Sequence, residues 1–251
     1  MSRYFRIPLY LAFGALAACG GNNVQVRSAA VPEPNIVTLD GVVSLPDLVA
    51  ACTKTAGDAQ AGAVVLRGDL RDSGRQVVIG VPCAVQLAGT AGVHLSKSTI
   101  ESETINFSDR ASAAGRNEFQ ITEVTFLGRA QAGFLIDLSD PDDQVAFSRS
   151  VITYPLGIVV RSNGDRNAPD SGGSVRMSAT KLTTTDPASE VTLTASSSKG
   201  LVQLANPVID SPALVAVADQ CAALIEGKMI DCRAATLGAD LKQQAQAVNS
   251  N

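Results

Sequence analysis

A six-residue phrase bracketed by large apolar residues occurs six times, at Leu95–Ile100, Ile121–Phe126, Phe147–Ile152, Met177–Leu182, Leu204–Ile209 and Ile225–Ile230. The openings are separated by 26, 26, 30, 27 and 21 residues. A recurrence in this range marks a stacked solenoid, in which each repeat buries its apolar side against its neighbours. Two residues before each opening stands Val93, Phe119, Val145, Val175, Val202 or Ala223, all apolar, and between them lie His94, Gln120, Ala146, Arg176, Gln203 and Leu224. That alternation is the period of a strand.

If the strands stack in parallel, equivalent positions lie about 4.8 Å apart and form columns. The opening column (Leu95, Ile121, Phe147, Met177, Leu204, Ile225) and the closing column (Ile100, Phe126, Ile152, Leu182, Ile209, Ile230) are then two walls of a packed interior. The column after the opening (Ser96, Thr122, Ser148, Ser178) predicts hydroxyls bonded along the stack. The next (Lys97, Glu123, Arg149) predicts alternating charge on the solvent face. Four-helix and sandwich folds do not predict such agreement.

Ahead of the phrases, Ser44–Cys52 carries a serine fit to cap a helix, Pro46 near its start and apolar residues at Leu45, Leu48, Val49 and Cys52. A strand-length apolar run, Ala63–Leu70, and the glycine-bearing stretch Val85–Gly89 follow. This order of helix, turn and strands resembles the entrance to the right-handed parallel β-helices of the pectate-lyase-like superfamily, where a helix covers the open end of the solenoid. The resemblance spans about residues 40–232 and rests on period and column chemistry. The asparagine ladder common in pectate lyases is reduced here to Asn206. The expected fold is all-β: a single-stranded parallel β-helix of about six to seven coils over residues 37–233, with a capping helix and, from Ala234 to Val248 within the tail 234–251, a weak closing helix.

Residues 1–18 read as an export signal, with Arg3 and Arg6 ahead of an apolar stretch, Ile7–Leu16, too short to span a bilayer. Its end, Leu16-Ala17-Ala18-Cys19-Gly20, resembles the lipobox of bacterial lipoproteins. The resemblance implies acylation of Cys19, a membrane partner, and, with Gly20 rather than aspartate next, sorting to the outer membrane of a Gram-negative cell. Several acyl chains on one residue would supply the second hydrophobic signal that stable anchoring needs. Residues 19–36, with Gly20, Gly21, Pro32 and Pro34, read as a flexible tether.

With Cys19 lipidated, Cys52, Cys83, Cys221 and Cys232 remain, an even set that suggests disulfides in an exported protein. Three pairings exist, and sequence proximity favours Cys52 with Cys83 and Cys221 with Cys232. A metal site is the alternative, disfavoured by the absence of a CxxC pair and by the single histidine.

Twenty Lys and Arg against 24 Asp and Glu leave no basic field, and loss of Arg3 and Arg6 with the leader would take the net charge from −4 to −6. Nucleic-acid binding is excluded on that ground. Tryptophan is absent and aromatics are 4%, so any sugar site lacks the usual flat platforms. His94, the only histidine, is a conceivable general base with no fixed Asp partner in view, and reads as a surface residue. The acidic turn with Asp137, Asp140, Asp142 and Asp143 has the oxygen chemistry Ca²⁺ seeks, but not EF-hand spacing, and reads as a solvated turn. The insertion 161–173 offers Asp165, Arg166 and Asp170 as a ligand loop. Arg67-Gly68-Asp69 spells an adhesion tripeptide at the end of a predicted strand and is set aside. No catalytic set emerges and no cofactor is expected. The expected function is a non-enzymatic scaffold or binding module of the cell envelope for a polysaccharide or a protein partner. The fold resemblance alone implies the alternative, a polysaccharide lyase, hydrolase or epimerase.

Overall fold

The computed structural model describes residues 35–56, 62–109, 115–140, 142–162, 173–195, 200–218, 220–225 and 228–231. The chain divides into two units, Met1–Pro32 and Glu33–Asn251; the first lies outside the described residues. The expected leader, the closing helix and the tether up to residue 34 therefore have no structural account, and neither do Cys19 and Cys232; the tether's last residue, Ile36, is already the first of a strand.

The second unit is a right-handed parallel β-solenoid of about six coils. It enters through β1 (Ile36–Val43) and α1 (Leu45–Thr55). The coils are β2 (Ala63–Ser73), β3 (Gln76–Ile79) and β4 (Cys83–Leu87); β5 (Gly92–Ser96), β6 (Thr99–Ser102) and β7 (Ile105–Asp109); β8 (Glu118–Thr122), β9 (Thr125–Gly128) and β10 (Phe134–Leu138); β11 (Gln144–Ser148), β12 (Val151–Thr153) and β13 (Ile158–Ser162); β14 (Ser174–Ser178), β15 (Lys181–Thr183) and β16 (Glu190–Ala195); and β17 (Leu201–Ala205), β18 (Val208–Asp210) and β19 (Ala213–Ala218). The first strands of the coils form one sheet wall, the second strands another and the third strands another. β2 is long enough to join two walls, pairing β4 through Val64–Leu66 and β5 through Asp69–Ser73.

Inside the tube the expected walls are present. Leu95, Ile121, Phe147, Met177 and Leu204 are buried, as are Ile100, Phe126, Ile152 and Leu182. Rings interleave along the axis: Phe126 meets Phe134 at 5.2 Å and Phe134 meets Tyr154 at 5.3 Å. Tyr154 lies over Gly128, whose missing Cβ leaves room for the ring. Its phenol shares a hydrogen bond with Ser102 Oγ, two coils back, and burial pushes the phenol pKa up to about 12.

The repeated phrase is a corner. Its third residue adopts a left-handed conformation in Lys97 (φ 49°), Glu123 (57°), Arg149 (47°), Ala179 (46°) and Asn206 (49°). That single residue turns the chain between two walls and keeps its N–H in the ladder: Glu123 N donates to Ser148 O at 2.8 Å and Arg149 N to Ser178 O at 2.8 Å. Of the expected charge row, the Glu123–Arg149 ion pair forms at 2.7 Å. The hydroxyl row expected at Ser96, Thr122, Ser148 and Ser178 is exposed or half-buried, and Ser96 Oγ donates to Ser73 Oγ at 2.8 Å. A second hydroxyl row lies two residues further on. Ser98, Ser150 and Thr180 are buried and donate to the carbonyls of Ser96, Ser148 and Ser178 at 2.8, 2.9 and 3.1 Å. Arg75 N and Val124 N donate to the Ser98 and Ser150 hydroxyls, so this row satisfies backbone groups that the corner leaves without partners.

The sixth phrase is not a coil corner. Leu204 pairs with Ala223 rather than Ile225, and β20 (Gln220–Ile225) turns back into β21 (Lys228–Asp231), the one antiparallel pairing among the described residues. An earlier corner takes its place in the count: Asp72 and Val77 pair with Leu95 and Ile100, and Gly74 (φ 70°) is the left-handed residue.

α1 covers the entrance, with Leu45, Leu48, Ala51 and Cys52 buried. Asp47 accepts from the Ser44 N–H and hydroxyl at 2.9 and 2.6 Å, which holds its carboxyl below the usual range. Asp72 accepts from Leu45 N at 2.9 Å, tying the helix start to the first coil. Cys52 and Cys83 form the expected disulfide, with Cα atoms 5.3 Å apart. No described helix is long and apolar enough to cross a membrane.

Candidate functional site

On the outer surface of the first wall, strand alternation turns three columns to solvent. One runs Asp69, Gly92, Glu118 and Gln144 and closes over at the buried Ser174 and at Leu201, and the next runs Arg71, His94, Gln120, Ala146, Arg176, Gln203. The third is the hydroxyl row that begins at Ser73 and Ser96. The interior is filled by the other face of the same strands, so this polar composition is free of packing duty. It makes a track of amides, hydroxyls and charges on a rigid floor.

Two hollows interrupt the track where a small residue replaces a long one. Ala146 stands between Gln120 and Arg176, and a groove of about 480 Å³ opens over it, floored by Phe119, Ile121 and Phe147 and rimmed by Glu118, Gln144 and Gln203. Gly92 stands between Asp69 and Glu118, with a hollow of about 350 Å³ that Arg71, Thr90, His94 and Arg116 also line. Asp69 holds Arg71 at 2.6 Å and Gln120 Nε2 donates to Glu118 Oε1 at 2.6 Å. Arg116 and Arg176 have no ion-pair partner among the described residues.

His94, expected to stand alone, has an Asp neighbour after all. Both His94 Nε2 and Asp69 Oδ1 lie within 2.6 Å of the point where a Cβ on residue 92 would sit. Asp69 belongs to the first coil, one strand back, and only the pairing of Asp69 with Gly92 and of Arg71 with His94 brings the groups together. Set aside as a chance triplet, Arg67-Gly68-Asp69 thus delivers one side chain to the track, whereas Arg67 is exposed elsewhere on β2.

The four acidic candidates do not converge on one metal. Asp137 faces out on the third wall and meets Arg161 at 3.6 Å, and Asp142 is exposed at a left-handed turn position. Asp140 and Asp143 turn inward and are joined by Asp109, which sequence reasoning passed over. Asp143 is fully buried and accepts from Asn117 N at 2.7 Å, Asn117 Nδ2 at 3.3 Å and Asp140 N at 2.8 Å. Asp109 accepts from Asn117 Nδ2 at 2.9 Å, Ser139 Oγ at 3.0 Å and the backbone N–H groups of Ser139 and Asp140. The cluster therefore ties successive coils through N–H donors. Burial is the main cause that raises all three carboxyls, and Asp143 reaches about 8 because the charges of Asp109 and Asp140 add to its desolvation. Among the described residues no group of three His, Cys, Asp or Glu could hold a metal ion.

Asp165, Arg166 and Asp170 lie outside the described residues, as do Cys232 and the side chain of Cys221. Comparison with known proteins finds no family model, no curated protein and no solved structure that matches the chain.

Proposed function

We propose that the protein is a lipid-anchored binding module of the cell envelope whose first wall engages a polysaccharide. The observation that carries this reading is the polar track with its two hollows on one outward face. Side-chain amides, hydroxyls and guanidinium groups on a rigid sheet suit a ligand rich in hydroxyls, and the spacing of the strands, about 4.8 Å, is close to the advance of one pyranose unit in an extended glycan. The lipobox resemblance at Leu16–Gly20 supports acylation of Cys19 and an outer-membrane address. The capping helix and the corner geometry are consistent with kinship to the pectate-lyase-like superfamily.

The enzymatic alternative has less support. The acidic turn offered by the sequence does not build a catalytic groove, since Asp137 pairs with Arg161, Asp140 lies beside Asp143 and Arg149 sits at a corner paired with Glu123; the hollow over Gly92 does gather Asp69 and Glu118 with Arg71, Arg116 and His94, and there Asp69 is already paired with Arg71.

Retention on immobilised envelope polysaccharides tests the reading. Ala146→Arg fills the larger hollow and is expected to abolish retention while leaving the fold unchanged. Failure of every neutral and acidic polysaccharide to retain the unaltered chain would sink it. The anchor is tested separately: Cys19→Ser should move the protein from the membrane to the soluble fraction, and unchanged fractionation would refute acylation.

A further inference from the structure

We propose that the hollow over Gly92 is a preformed subsite for one neutral sugar unit, with Asp69 as its fixed hydroxyl acceptor. This deepens the glycan-binding reading and rests on it.

The first argument is the glycine itself. Gly92 is the first residue of β5 and does not occupy the left-handed region, so its backbone conformation is open to any residue. Without a Cβ, glycine at such a position admits a close approach of other groups to the backbone. Here that approach is known: a Cβ would meet His94 Nε2 at 2.4 Å and Asp69 Oδ1 at 2.6 Å. The bare Cα leaves room above the strand for both His94 Nε2 and Asp69 Oδ1.

The second argument is that Asp69 is held in place. Its Oδ2 accepts from both Arg71 Nε at 3.0 Å and Arg71 Nη2 at 2.6 Å, charge-assisted bonds that anchor this one oxygen. Oδ1 accepts no hydrogen bond among the described residues and is turned toward the hollow. One oxygen is thus clamped and the other is presented. Such preorganisation reduces the ordering that binding would otherwise require.

The third argument is charge balance. Arg71 and Arg116 are matched by Asp69 and Glu118 around the hollow. An anionic sugar would face two carboxylates and a cationic one two guanidinium groups. A hydroxyl can donate to Asp69 Oδ1 while it accepts from Arg116 or His94, so the interleaved set fits a neutral polyhydroxy unit. The larger hollow over Ala146 lies two strands away, about 10 Å along the axis, and an extended glycan laid on the track would reach both.

The test uses the full chain and biolayer interferometry against immobilised gluco-, galacto- and manno-hexasaccharides, with uronic-acid hexasaccharides as the charged arm. Gly92→Ala pushes the His94 imidazole and Asp69 Oδ1 out of their places without touching backbone, and Asp69→Asn keeps shape while removing the charge. Each is expected to weaken binding of a neutral hexasaccharide by about tenfold or more, with affinity unchanged on raising salt from about 0.1 to 1 M. Neutral binding that both variants leave intact, but Ala146→Arg removes, would overturn the subsite while preserving the track. Binding confined to uronates and weakened by salt would overturn the neutral-sugar assignment. Absence of binding to every member would overturn both readings.

Discussion

Asp143 makes stability depend on pH in a direction opposite to that of most carboxylates. Its pKa rises from 3.8 to about 8 in the folded chain, so between these values the folded state holds a proton that the unfolded state has released. Each pH unit in that window removes about 1.4 kcal/mol of stability, and the contribution is complete below the ordinary carboxylate value and lost as pH approaches 8. From pH 5 to pH 8 the fall is therefore at most about 4 kcal/mol, or about 10 °C in Tm for a chain of this size. Asp109 and Asp140 are raised for the same reason and act in the same sense. Asp143→Asn removes the titrating group but turns an amide N–H toward Asn117 N or Asp140 N, leaving a buried donor without a partner at about 1–3 kcal/mol. The variant is expected to be less stable than the wild type at pH 5, with a much flatter profile, so the two approach each other by pH 8. Urea denaturation followed by circular dichroism at half-unit pH intervals measures both profiles. Parallel profiles over pH 5–8 would refute the reasoning, since they would mean that Asp143 carries the same charge in both states.

Ala179 holds a left-handed corner with no side chain to compensate, so Ala179→Gly should raise stability by about 1 kcal/mol in the same denaturation assay; a loss would show that the corner is not strained. Reduction of Cys52–Cys83 opens a loop of 31 residues and should cost about 3–4 kcal/mol, read as a fall in Tm with dithiothreitol that Cys83→Ala reproduces. Tyr154→Phe leaves the buried Ser102 hydroxyl without its ring partner and should destabilise by about 1–3 kcal/mol, whereas a value near zero would mean that water replaces the phenol. The exposed Glu123–Arg149 pair should show a coupling below about 1 kcal/mol in a double-mutant cycle, vanishing in high salt.

Period and column chemistry made the solenoid legible because burial acts on every coil alike. Departures occurred where one residue served a second purpose. The strand runs of the first coil were legible at Ala63–Leu70 and Val85–Gly89, but its corner was not, since Asp72 occupies the opening position that Leu95 and Ile121 hold in later coils, and it is polar because it caps α1. The last phrase misled because apolar residues at both ends of a hairpin mimic a corner: Ile225 and Lys228 pair across its turn. The useful hydroxyl row, Ser98, Ser150 and Thr180, is broken by Val124 and Pro207 and so looks irregular in one dimension. As for the site, Gln120 and Arg176 could be read as outward, but the Gly92 hollow could not. It needs Asp69 from the preceding coil, and register alone brings Asp69 beside His94. Asp143, offered as a cation ligand by its neighbours in sequence, is turned inward by donors on Asn117 and Asp140 that no spacing rule contains.

A parallel stack has direction, like a column of cups, and its upper rim matches its lower rim. Any such column can in principle grow by adding another copy end to end. α1 breaks that equivalence, because it lies over the entrance with Leu45, Leu48, Ala51 and Cys52 buried against the coils. The helix is a stopper written into the fold: whatever the far rim offers, a second molecule cannot seat it on the entrance.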